Sequence, residues 1–98
     1  MQTAEVAKHT EPKFLPGIVV ITPNAFSILT HEDTHTALRR HTQGDWGLLE
    51  PEDKAANDQA LITGARLLSA YSTKSGVRFW IITEADRLVT TILLPEDN

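Results

Sequence analysis

The chain has 98 residues, 41% of them hydrophobic, which suits one small domain with a single core. It contains no cysteine, so disulfides, iron–sulfur clusters and thiolate zinc sites are excluded. Its net charge of −4 disfavours direct binding to nucleic-acid phosphates, which normally requires a basic face. No apolar run reaches the roughly 18 residues of a membrane span, and the first residues lack the apolar stretch of a signal peptide. We therefore expect a cytoplasmic protein that makes no membrane contact.

The N-terminal third begins with a polar stretch and continues into a short strand. Residues 1–12 carry no hydrophobic pattern, which predicts a flexible tail before a single domain over 13–98. The run Gly17 to Thr22 is rich in β-branched residues and lies between prolines, which predicts a strand. Its four consecutive apolar residues indicate cover on both faces, as in a central strand. The architecture that we favour places this strand at the edge of the later sheet or beside it.

Helical signals occupy the middle of the chain. We predict a short helical turn at 23–29, a helix from His31 to about His41 and a second helix over 51–63. Thr30 and Asp33 fit a capping box at the start of the first of these helices. Ala37, Leu38 and His41 would lie on or near its inner face. Gly64 stands where the C-terminal cap of the second helix belongs.

The last third of the sequence is β-rich. Strands are predicted at Arg66–Thr73, Val77–Thr83 and Leu88–Leu94. Their short connections require an antiparallel meander, because parallel pairing needs a long crossover. In the middle strand Phe79 and Ile81 point to one face, whereas Trp80 and Ile82 point to the other and need cover from a loop, a helix or a partner chain. The expected fold is α+β: one short strand, two helices and a three-stranded antiparallel meander packed on the helices.

Residues 31–35, HEDTH, match the H-E-x-x-H pattern of zinc hydrolases. In that pattern His31 and His35 would bind zinc, and Glu32 would deprotonate the bound water. The extended metzincin form adds a third histidine, here His41, but Leu38 occupies the place of the glycine that breaks the helix. A continuous helix sends His41 about 80° off the shared face and roughly 15 Å along the axis. The favoured interpretation is a capped helix without metal or other cofactor, and a small zinc-dependent hydrolase remains the alternative.

A second candidate site follows this helix. Gly44 and Gly47 bracket Asp45-Trp46, and a tryptophan in a loop either folds back as a lid over the open sheet face or serves as an anchor for a partner or ligand. The TEADR segment (83–87) either forms a turn with an ion pair or contributes Arg87 to a polar pocket. The candidate binding residues are Arg40, His41, Asp45, Trp46 and Arg87.

Acidic residues are concentrated between the loop and the second helix. They are Asp45, Glu50, Glu52, Asp53 and Asp58, and only Lys54 opposes them. They form either a solvated helix start or an anionic surface for a basic partner, such as a nucleic-acid-binding enzyme that the chain would inhibit. The leading interpretation is a non-enzymatic interaction module with a protein partner. Homodimerisation through the second sheet face is a further expectation.

Several segments together resemble one family. The segments RHTQGDWG (40–47), RLLSAY (66–71) and WIITEADR..TT.LLP (80–95) are similar to small uncharacterised bacterial proteins that are often encoded on plasmids and other mobile elements. The resemblance covers most of residues 14–97. It implies no catalytic residue, and it implies a role linked to mobile-element maintenance or host defence.

Overall fold

The computed structural model describes residues 11–98, so the predicted tail at 1–12 lies outside the described residues except for its last two. The elements are β1 (Ile18–Ile21), α1 (Pro23–Ile28), α2 (His31–Thr42), α3 (Pro51–Thr63), β2 (Leu67–Ser72), β3 (Arg78–Thr83), β4 (Val89–Leu93) and a 3-10 turn (Pro95–Asp97). This arrangement confirms the predicted α+β class. The longest described helix has 13 residues, and none combines the length and apolar character needed to cross a bilayer.

The four strands form one sheet in the order β1-β4-β3-β2. Strands β2, β3 and β4 make the predicted antiparallel meander, and β1 pairs parallel to β4 at the sheet edge. The central position suggested by the apolar run of β1 is therefore wrong, and the expected edge position is confirmed. Ile18 is 68% exposed and Val20 42%. An apolar run is typical of a strand with covered faces, but it does not indicate whether other strands pair with both of its edges.

Local signals explain where the helices begin and end. The capping box is present: Thr30 Oγ1 accepts a hydrogen bond from the Asp33 amide, and the Asp33 carboxylate accepts one from the Thr30 amide, both at 3.0 Å. Pro51 stands in the first turn of α3. Gly64 ends this helix with φ of 83°, a left-handed conformation that glycine adopts at little cost. The predicted short helical turn at 23–29 is α1.

The helices pack on one face of the sheet, here called the helix-covered face. Its larger cluster comprises Ala25, Leu29, Ala37, Tyr71, Phe79, Ile81, Ile92 and Leu94. Its smaller cluster comprises Trp46, Ala60 and Leu67, with Phe14, Leu49 and Leu61 packed against them. Phe79 and Ile81 thus point to the helices as predicted. Trp80 and Ile82 lie on the second face, which contributes no residue to either cluster; Ile82 is buried there and Trp80 is half-buried.

Candidate functional site

The HEDTH segment forms the first turns of α2 and does not gather a metal site. His31 and His35 are exposed, and their rings stack with centroids 6.0 Å apart. His41 points into the core instead. Within residues 11–98, no group of three or more histidine, cysteine or acidic side chains could hold one ion. The geometry therefore adds nothing in favour of the hydrolase alternative.

The GDWG corner (residues 44–47) closes the outer edge of β2. The Leu48 amide donates a hydrogen bond to the Ala70 carbonyl at 2.8 Å, and the Ala70 amide donates to the Trp46 carbonyl at 3.3 Å. Gly47 has φ of 76°, and a Cβ atom there would overlap the Ala70 carbonyl oxygen. Glycine is thus required because the corner lies directly against β2.

Asn57 of α3 extends this closure along β2. Its side-chain amide donates to the Leu68 carbonyl at 2.6 Å, and its side-chain oxygen accepts from the Leu68 amide at 3.2 Å. The side chain thus makes the two bonds that a neighbouring strand would make. The corner and Asn57 together satisfy the outward peptide groups of Leu68 and Ala70.

Trp46 packs into the smaller cluster of the helix-covered face, so it does not form the expected lid over the open sheet face. It is 3% exposed, and its indole nitrogen donates to the Asp58 carboxylate at 2.9 Å. Its ring stacks on Phe14 at 6.5 Å and meets the His41 ring edge-on at 5.8 Å. A ring held in this way presents no surface to a partner.

Arg40 and Asp45 brace the corner from outside. The guanidinium makes two hydrogen bonds to the Asp45 carboxylate, at 2.7 and 3.1 Å, and lies 4.8 Å from the centre of the Tyr71 ring. The hydrogen bond from Arg40 holds the pKa of Asp45 below its ordinary value. Tyr71 donates its hydroxyl to the Asp45 carbonyl at 2.7 Å. Asp45 therefore fixes the loop through both its carboxylate and its backbone.

His41 is fully buried, and its neighbours determine which ring nitrogen carries the proton. Thr90 donates to the Pro16 carbonyl at 2.7 Å, so its hydroxyl can only accept the hydrogen bond that joins it to Thr83. Thr83 thereby uses its one proton, and His41 Nε2 must donate to Thr83 at 2.9 Å. Nδ1 is then the acceptor for the Ser69 hydroxyl at 2.5 Å. Both ring nitrogens of the neutral imidazole are satisfied, which leaves no free lone pair for a metal.

The pKa of His41 is lowered to about 4, first because burial penalises the charged ring and second because Arg87 repels it. Within residues 11–98 no carboxylate hydrogen-bonds the ring, and Ser69 is itself buried. A Ser–His pair in this setting is part of the core, since both side chains are fully buried.

Arg87 clamps the end of α3. It has φ of 62°, which is uncommon for a residue with a side chain, and its guanidinium donates to the carbonyls of Ala65 at 2.7 Å and Ala60 at 3.1 Å. The five residues predicted as a binding site are therefore all engaged inside the chain. His41 and Trp46 in particular expose no surface on which a ligand could rest.

The acidic segment is divided between internal and exposed roles. Asp45 binds Arg40, and Asp58 accepts the Trp46 indole proton. Glu52 and Asp53 are exposed in the first turn of α3, where negative charge suits the helix dipole. All five acidic residues of the segment are nevertheless exposed, so an anionic docking surface stays a prediction.

The outer edge of β1 contrasts with that of β2. The Ile18 amide donates to the Leu88 carbonyl at 2.9 Å, and the Thr22 amide donates to the Ile92 carbonyl at 3.0 Å. Because alternate residues of a parallel strand bond to the same neighbour, the peptide groups of Val19 and Ile21 point away from β4. No strand among residues 11–98 pairs with that side.

The four side chains of β1 are all apolar, and the span around the strand carries no acidic or basic residue. No Lys, Arg, Asp or Glu occurs between Lys13 and Glu32, although the chain carries 22 such residues, 13 acidic and 9 basic. A cleft of about 270 Å³ runs beside the strand. It is lined by Val19, Val20, Ile21, Phe26, Leu29, Thr30, His31, Thr34 and Ile92. Phe26, at its rim, is 73% exposed. The uncharged span was the signal in the sequence that could have identified this surface.

The strand is held firmly in place at both ends. Gly17 has φ of 68°, and a Cβ atom there would overlap the Leu88 carbonyl oxygen. At the other end Thr22 donates its hydroxyl to the Asp97 carboxylate at 2.6 Å, and Asn24 donates to the same carboxylate at 2.8 Å. These bonds hold the pKa of Asp97 below its ordinary value. The backbone of β1 is therefore held in a fixed position along the open edge.

Comparison of the chain with protein-family models, with curated proteins and with solved structures finds no match.

Proposed function

We propose that the protein is a non-enzymatic interaction module that accepts an extended strand of a protein partner on the outer edge of β1. The observation that carries this proposal is an edge strand of four apolar residues whose outward peptide groups, at Val19 and Ile21, lie in a span without acidic or basic residues. Main-chain hydrogen bonds supply affinity in this mode of recognition, and pockets for alternate side chains supply specificity. The cleft beside β1 provides such a pocket.

The treatment of the two sheet edges supports this proposal. Natural proteins protect exposed edges with charged side chains, prolines, bulges or covering loops. Here the edge of β2 is covered by the GDWG corner and Asn57, whereas β1 has prolines beyond its ends and no charge along its length. A strand left open in this way pairs readily with another chain.

The biological setting follows from the family resemblance and stays a prediction. A cytoplasmic module of this kind, encoded on a plasmid or another mobile element, would act through its partner in element maintenance or host defence. The partner is recognised by its chemistry: an extended segment with apolar side chains at alternate positions and no acidic cluster.

A short peptide tests the proposal. The probe is a capped hexapeptide that alternates threonine and valine, and its control carries N-methyl groups on every backbone amide, which removes the donors from both edges. We expect the probe, and not the control, to slow hydrogen exchange at the Val19 and Ile21 amides, as followed by nuclear magnetic resonance. Unchanged exchange at these two amides with either peptide and at every protein concentration would overturn the proposal.

A matched pair of variants shows whether the backbone carries the binding. Val19→Pro removes an outward amide while the ladder to β4 stays intact, because the Val19 amide does not face β4. Val19→Thr keeps the amide and nearly the same shape. Binding of the probe should be lost in the proline variant and kept in the threonine variant. Equal binding by both variants would contradict main-chain recognition.

A further inference from the structure

We infer that the strand which docks on β1 is β1 of a second copy, antiparallel and related by a twofold axis at Val20. This inference rests on the proposed function and names its partner. It would join two four-stranded sheets edge to edge into one continuous sheet. Three features of the strand support it: its hydrogen-bond register, its lack of charge and the placement of the clefts beside it.

The register is determined by which peptide groups point outward. In each copy those groups belong to Val19 and Ile21. A twofold axis at Val20 places Val19 opposite Ile21 of the second copy, so the two residues exchange both of their hydrogen bonds. All outward groups of both strands are then paired, and none is left over.

Neighbouring registers are poorer. A shift by two residues in one direction pairs Ile21 with Gly17, whose φ of 68° is not that of a strand. A shift in the other direction pairs Val19 with Pro23, which has no amide proton. Pairing shifted by one residue sets an outward residue against an inward one. The axis at Val20 is therefore the register in which this short strand pairs fully with itself.

Charge favours a second copy over a charged foreign segment. Each copy has a net charge of −4, yet no acidic or basic side chain lies between Lys13 and Glu32. Two copies therefore meet along Ile18–Ile21 without a charged side chain in either strand, and the Asp97 carboxylate that binds Thr22 lies beyond the end of the strand in each copy. Nothing in the strand offers a counter-charge that would select a basic or an acidic peptide.

The apolar groups at the edge would be covered in both copies at once. Ile18, 68% exposed, and Val20, 42% exposed, lie on the second face. Val19, 40% exposed, lies with Phe26 at the cleft on the helix-covered face. A twofold axis normal to the sheet keeps each face on its own side, so the two clefts meet each other and Val20 meets its own copy. Self-complementarity of this kind is what a twofold interface requires.

Cysteine cross-linking tests the register, because the natural chain contains no cysteine. In the predicted pairing the two Val20 residues form a non-hydrogen-bonded pair with Cα atoms about 4.5 Å apart, within disulfide range. The two Ile18 residues lie on the same face but about 13 Å apart. Under mild oxidation Val20→Cys should form a covalent dimer, and the matched control Ile18→Cys should stay mainly monomeric. Equal cross-linking of both variants, or of neither, would overturn the register.

Sedimentation equilibrium tests the partner. The natural chain and Val19→Thr should approach twice the monomer mass as concentration rises, whereas Val19→Pro should remain monomeric. Ile62→Lys adds charge at an exposed apolar residue of α3 and should dimerise normally. A monomeric natural chain that still binds the hexapeptide would overturn the second copy and leave the proposed function standing. A dimer that persists in Val19→Pro would place the contact elsewhere, such as the second face at Trp80, and would overturn the inference.

Discussion

The two edges of the sheet are completed in opposite ways. At β2 a loop and one side chain replace the missing strand: the GDWG corner bonds Ala70, and Asn57 bonds Leu68. At β1 the outward groups of Val19 and Ile21 have no strand beside them among the described residues. The residues that look functional, an Asp-Trp pair between glycines, close one edge. The plain apolar strand, which looks like core, forms the exposed edge.

The largest expected effect on stability comes from replacing Trp46, which packs beside the closed edge of β2. Trp46→Ala removes a buried ring from the smaller cluster and should lower the free energy of unfolding by about 3–5 kcal/mol. Urea unfolding followed by circular dichroism measures this loss. Trp46→Phe keeps a ring but loses the hydrogen bond to Asp58, so it should lie between the natural chain and the alanine variant. An alanine variant of unchanged stability would show that Trp46 is not part of the core.

The buried histidine beside the corner makes stability depend on pH. The pKa of His41 is about 4 in the folded chain against an ordinary 6.5, so the unfolded chain binds a proton that the folded chain does not. The stability from His41 is therefore complete above pH 6.5 and falls as pH drops towards 4, by about 3 kcal/mol in all.

Urea unfolding at several pH values across this window measures that slope. His41→Gln is the control, because it keeps a donor and an acceptor but does not titrate. The control should be less stable at neutral pH and should lose most of the slope between pH 6.5 and 4. The same slope in both proteins would assign the effect to other groups.

A smaller loss of stability is expected on replacing Asn57, whose side chain makes the two hydrogen bonds to Leu68 that a neighbouring strand would make. Asn57→Ala leaves the Leu68 amide and carbonyl without partners and should cost about 2 kcal/mol. Hydrogen exchange at the Leu68 amide should accelerate in the same variant. Replacing the exposed neighbour Gln59 by alanine is the matched control in α3 and should change neither quantity. Slow exchange at Leu68 in Asn57→Ala would mean that another group closes this edge.

The smallest effect on stability belongs to the open edge. Val19→Thr and Val19→Pro should each change the free energy of unfolding of the monomer by less than about 1 kcal/mol, because the Val19 amide makes no bond to β4. Unfolding at low protein concentration measures this value apart from any association. A loss as large as that of Trp46→Ala would mean that Val19 belongs to the core and not to a docking edge.

The sequence predicted where the helices and strands lie far better than which strands pair with each other. The capping box at Thr30, the start of α3 at Pro51 and the cap at Gly64 depend on local chemistry, and all three are present. The parallel pairing of β1 with β4 joins residues about seventy positions apart, and no local pattern encodes it. For the same reason an apolar run could not distinguish a covered strand from an open edge.

At the candidate site, too, local sequence patterns did not identify contacts between distant residues. The sequence offered Trp46 as a lid over the open sheet face or as an anchor, and its actual position depends on Phe14, Asp58 and Leu67, which lie in three different segments. His41 was expected near the inner face of its helix, and it is buried there. Its partners Ser69 and Thr83 come from strands that the spacing of residues around position 41 cannot identify.

The most direct test of the contrast between the two edges is a concentration series of amide spectra by nuclear magnetic resonance. The account predicts that the signals of Val19, Val20 and Ile21 shift or broaden as concentration rises, while those of Asp45, Trp46 and Gly47 stay fixed. Changes centred on the GDWG corner, with β1 unchanged, would contradict it.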